Sequence, residues 1–148
     1  MRSVLVALTL ATIATPALAS GGIWCNAEDK AVRLSVESGM TRSIGGGFFN
    51  FRAGLDIRLP GTPKDFRSLK LDENDLPHHW IDDKEIKLLL YRERSEEPFG
   101  WVHLVIDTKA VDEGSYAGTY TLTLSNLEPG QSEAKETTAT GPIECSAE

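Results

Sequence analysis

Three histidines, two cysteines and a scatter of serines and acids are the side chains with chemistry to offer in this chain. His78 and His79 are adjacent and Asp82 and Asp83 follow closely, which gathers four residues of metal-ligating type. Neighbouring side chains on an extended backbone point to opposite sides, so both imidazoles reach one ion only where the chain turns. The run Asp72-Glu73-Asn74-Asp75 approaches a calcium loop, but Leu76 stands where an oxygen ligand is needed and Pro77 where a glycine is needed. His103 shares a strand face with Trp101 and Val105 and reads as a part-buried histidine hydrogen-bonded in the core. Neither a metal site nor a cofactor is expected.

Nucleophiles fare no better. Gly114-Ser115-Tyr116-Ala117-Gly118 places its serine one position early for G-x-S-x-G, and it leads into a strand where a nucleophile elbow needs a helix. Ser132-Glu133-Ala134-Lys135 fits S-x-x-K, but it lies in a polar loop without the S-D-N and K-T-G companions. A glycosidase needs two carboxylates facing each other across a cleft, and 22 acids offer no pair that stands out. Gly45-Gly46-Gly47 precedes a strand and has no Lys-Ser/Thr after it, so it is a hairpin loop and not a phosphate cradle. Catalysis is not expected.

Cys25 and Cys145 carry the firmest chemistry. An even cysteine count in an exported chain predicts a disulfide, here joining the first strand to the last across 145 − 25 = 120 positions. A loop of that size corresponds to roughly 5 kcal/mol in the chain-entropy model. Their separation does not resemble C-x-x-C, so the bond is expected to be structural. Export is read from Arg2, the apolar run Val4 to Ile13 and the small-residue end Ala17-Leu18-Ala19, which predict a signal peptide over residues 1–19 cleaved before Ser20. Threonines and Pro16 interrupt the run, which falls short of a membrane span. The remaining 148 − 19 = 129 residues, 20–148, fit one domain. Without Arg2 the balance is 14 basic to 22 acidic residues, or −8. That charge repels phosphate backbones and anionic lipid, so neither nucleic acid nor membrane insertion is expected.

The elements that position these residues are strands. From Phe49 to Leu59 the odd positions are apolar and the even ones polar or glycine, and the same period runs through Val32, Leu34 and Val36 and through Tyr116, Tyr120, Leu122 and Leu124. That phase sends Phe48 to the side opposite Phe49 and Phe51, where exposure is expected. Gly54 is the expected bend in the long strand. Further strands are predicted at 66–71, 86–93, 101–107 and 137–145, separated by turn residues such as Pro60-Gly61 and Pro129-Gly130. With no long amphipathic helix, the fold class is all-β: an antiparallel β-sandwich of seven to nine strands with its ends tied by one disulfide, or alternatively a small β-barrel.

Residues 88–91 and 101–106 are apolar on both faces, so something must cover the second face. One account is a structural lid made by residues 72–84 and anchored by Trp80. The other is a binding face comprising Trp80, Leu89, Tyr91, Val102 and Leu104. The leading functional reading is an exported, periplasmic or secreted module that docks another envelope or extracellular protein through a sheet edge or this face. A carrier of a small apolar ligand, its cavity lined by Phe49, Phe51, Trp101, Tyr116 and Tyr120, is the alternative. A small hydrolase using Ser132 or His103 comes third.

Overall fold

The computed structural model describes residues 21–41 and 47–148. The expected signal peptide (1–19), its cleavage point before Ser20, and Gly45 and Gly46 lie outside the described residues. The period-two segments form nine strands: β1 (Gly21–Glu28), β2 (Val32–Met40), β3 (Phe48–Ile57), β4 (Ser68–Leu71), β5 (His78–Ile81), β6 (Glu85–Glu93), β7 (Gly100–Asp112), β8 (Ser115–Asn126) and β9 (Lys135–Ala147). Single 3-10 turns, Lys64–Phe66 and Glu73–Asp75, flank β4. All pairings are antiparallel and all nine strands join one sheet in the order β4-β3-β2-β1-β9-β8-β7-β6-β5.

The two end strands of that sheet, β4 and β5, follow each other in the chain with only residues 72–77 between them. Six residues reach at most about 24 Å, so the sheet has to curl until its ends meet. The result is a strongly curled half-barrel with a seam between β4 and β5. The all-β class, the antiparallel pairing and the strand number agree with expectation. The core is covered by the curl of one sheet and not by a second hydrogen-bonded sheet, which favours the barrel side of the sandwich-or-barrel alternative.

Inward positions of every long strand fill the interior. Ile23, Val32, Leu34, Phe51, Leu55, Leu88, Leu104, Tyr120, Leu122 and Ile143 are all at most 2% exposed. Cys25 and Cys145 are directly opposed partners of β1 and β9, and the disulfide joins them there. Each long strand thereby contributes one apolar stripe, and burying these stripes is the main favourable term in folding.

Three local expectations are corrected. Gly54 is a regular member of β3, paired with Ser35 and Lys70. The irregularity lies nearer the strand's start, where the register to β2 shifts between Glu37 and Gly39 and Asn50 takes φ 54°. Asn tolerates this left-handed conformation because its short polar side chain suits it, and the extra residue reverses the alternation. Phe48 consequently packs on the core and Phe49 is 37% exposed, its ring lying over Gly39. Finally, residues 72–84 do not form a lid. They close the seam with a 3-10 turn and then add β5 to the edge of β6.

Where β4 and β6 come together the seam is held by side chains. Arg92 and Arg94 follow the inward-facing Leu88 and Leu90 of β6 at the same two-residue spacing. Arg92 donates through Nε and Nη2 to the buried carboxylate of Asp75, and Nη2 also donates to the Lys70 carbonyl of β4 at 3.2 Å. Arg94 donates to both oxygens of Asp65 at 2.7 and 3.2 Å and lies 4.8 Å over the Phe66 ring. One acid from each 3-10 turn is thus pinned by a planar guanidinium fork, at both ends of β4.

Candidate functional site

The outer face of β5, β6 and β7 brings together large apolar and aromatic side chains. The register sets Leu89 opposite Val105, Tyr91 opposite His103, and Glu93 opposite Trp101, while Trp80 lies opposite Lys87. Alternation sends the intervening residues, Leu88, Leu90, Val102, Leu104 and Ile106, into the core. Leu89, Tyr91, Trp101, His103 and Val105 are therefore half-buried on the outside, and Trp80 is 58% exposed. Among the described residues these strands pack chiefly on their sheet neighbours and on the 3-10 turn Glu73–Asp75, which meets β6 through the inward Arg92.

Within this face the rings of Tyr91 and Trp101 are 6.3 Å apart and tilted by 33°, and Trp101 meets His103 edge-on at 6.3 Å. The Tyr91 hydroxyl donates to Glu93 Oε2 at 2.8 Å. Partial burial, then that bond and the Glu93 charge, push the Tyr91 hydroxyl pKa above its ordinary value. Threonines flank the rings on β8, Thr123 opposite His103 and Thr121 opposite Val105. The arrangement can do what aromatic side chains with polar edges do at interfaces: offer a large rigid contact area with hydrogen-bonding rims.

Of the expected face residues, Trp80, Leu89 and Tyr91 are on it. Val102 and Leu104, 2% and 0% exposed, point into the core and leave it. Trp101, His103 and Val105 replace them. His103 therefore stands outside and not hydrogen-bonded in the core. An apolar run on both faces hides its own phase, which is why sequence alone exchanged the two sets. Glu93 was missed, and its one signal is that it shares the phase of Leu89 and Tyr91.

The remaining candidates are dispersed. His78 is opposite Leu89 on the outer side, whereas His79 turns the other way and stacks on Phe48 with ring centroids 4.4 Å apart. Asp82 Oδ1 is occupied by the Lys84 and Glu85 amides of the β5–β6 turn, and these bonds hold its carboxyl below the usual range. Among the described residues no group of three or more His, Cys, Asp or Glu is placed to hold a metal. Ser115 is exposed at the start of β8, and Ser132 is exposed in the β8–β9 connection. The residues proposed to line a carrier cavity are split: Phe51, Tyr116 and Tyr120 are core, and Phe49 and Trp101 are outside.

No helix among the described residues is long and apolar enough to cross a membrane. No protein-family model, curated protein or solved structure matches the chain.

Proposed function

We propose that this protein is an exported, non-catalytic docking module that binds another envelope or extracellular protein through the outer face of β5–β7. One observation carries the reading: Trp80, Leu89, Tyr91, Trp101, His103 and Val105 share the outer side of three neighbouring strands and keep solvent exposure among the described residues. Contiguous apolar surface rimmed by polar residues marks interaction sites, and Trp and Tyr dominate the energetics of such contacts. The disulfide fits a non-reducing compartment, and the predicted signal peptide points to a periplasmic or secreted destination.

The test is capture from native envelope or extracellular extract by wild type, Trp101→Ala and Trp24→Ala, each first checked for folding. Trp24 is 38% exposed but lies on β1, away from the face, and serves as the control. A partner retained by wild type and Trp24→Ala and lost by Trp101→Ala supports the reading. Retention by all three sinks it.

A further inference from the structure

We propose that Tyr91, Glu93, Trp101 and His103 form a guanidinium-binding square on this face, which receives an arginine side chain of the partner protein. The inference rests on the docking reading and names the chemistry the partner must present. The four residues are two directly opposed pairs, Tyr91–His103 and Glu93–Trp101, so a carboxylate stands beside an indole and diagonally across from an imidazole. The Tyr91 and Trp101 rings are tilted and 6.3 Å apart, and they are not stacked face to face. The Tyr91–Trp101 contact therefore covers neither ring face, and with His103 meeting Trp101 edge-on the half-exposed rings set aromatic quadrupole next to a negative charge, which is the combination that attracts an organic cation.

Glu93 is the acid of the site that lacks a cation. Its partner is the Tyr91 hydroxyl on Oε2, and among the described residues it makes no ion pair. The cations on its own strand and just beyond it are engaged elsewhere. Lys87 is 3.0 Å from Glu85 and 4.0 Å from Asp107, Arg92 holds Asp75, and Arg94 holds Asp65. The positive charge the square attracts must come from outside the strand, and a chain of formal net charge −7 draws cationic partners toward it. A guanidinium suits the square better than an ammonium. Its plane stacks on an aromatic face while its fork of N–H donors meets the carboxylate edge-on, whereas an ammonium is a compact, strongly hydrated point charge.

Titrating the full chain with N-acetyl-arginine amide and with its neutral isostere N-acetyl-citrulline amide tests this, read by chemical shifts of the Trp101 indole N–H and the amides of β6 and β7. The arginine probe is expected to bind about fivefold more tightly than citrulline. Glu93→Gln, which keeps shape and removes charge, is expected to abolish that preference, while Trp24→Ala leaves it intact. Equal binding of the two probes, or a preference that survives Glu93→Gln, overturns the site. The two proposals fail separately. A partner captured equally by wild type and Glu93→Gln but lost by Trp101→Ala refutes the arginine anchor and keeps the docking face, whereas probe binding with no partner captured refutes the docking face.

Discussion

At the scale of single residues, one hydrogen bond from a buried hydroxyl shows how closely side chains are fitted. Tyr120, 0% exposed, donates its hydroxyl to Asp29 Oδ2 at 2.5 Å across the end of the core. Gly141 leaves room for this pair, since a Cβ there would stand 2.3 Å from the Asp29 oxygen and 2.7 Å from the tyrosine ring. Burial works against the Asp29 charge, but the Tyr120 hydroxyl and the Val32 and Ala31 amides outweigh it and hold the carboxyl below its ordinary range. Because the folded value is lowered, the pair's stabilisation is complete above the unfolded-state pKa of about 4 and is lost as pH falls through the folded value. Tyr120→Phe is expected to cost about 1–3 kcal/mol and to weaken the acid dependence of stability, both measurable by urea unfolding at neutral and acid pH. On β8 itself, Leu122 is fully buried while Thr121 is half-exposed. Leu122→Ala should cost about 2–5 kcal/mol and Thr121→Ala well under 1.

At the scale of elements, the seam is where this sheet substitutes side chains for a backbone ladder. Arg92 on β6 is 36% exposed and its partner Asp75 only 7% by side chain, so removing the arginine strands a buried carboxylate. Arg92→Ala is expected to destabilise by about 3 kcal/mol, the low end for breaking a buried pair because the arginine itself is partly solvated. Chemical denaturation reads this directly, and a loss well below 1 kcal/mol would mean that the seam holds without the pair. β5 behaves differently. Trp80 anchors nothing beneath it, so Trp80→Ala should change stability by less than about 1 kcal/mol. Amides of residues 78–81, on an end strand four residues long, should exchange much faster than those of 102–106 in the middle of the sheet.

At the scale of the whole molecule, chain connectivity and the disulfide define the half-barrel together. The first and last strands are neighbours in the middle of the sheet order, and Cys25–Cys145 crosslinks them at opposed positions. Intact mass should show two hydrogens fewer than the sum of the residues. Replacing either cysteine should lower stability by about 2–5 kcal/mol while leaving the strand pattern in place, since the ladder between β1 and β9 already holds the two ends in register.

The amino-acid order by itself determined the all-β class, the phase of β2, the regular part of β3, and β8, and the cysteine pairing. In those segments polar and apolar residues alternate, and one face alone can be buried. It left undecided the segments that are apolar on both sides. Val102 and Trp101 are equally hydrophobic to a local reading, and only the cross-strand register, which sets Val102 between Arg92 and Leu124 and Trp101 beside Glu93, assigns the first to the core and the second to the surface. The bulge at Asn50 escaped for a related reason, because one extra residue reverses every side chain beyond it without changing the pattern of types. Closure of the seam was out of reach for a different one. Nothing in the local order of residues pairs Asp65 with Arg94 or Asp75 with Arg92 until the curl of the sheet brings β4 beside β6, because the energy that pairs them depends on separation in space and not along the chain.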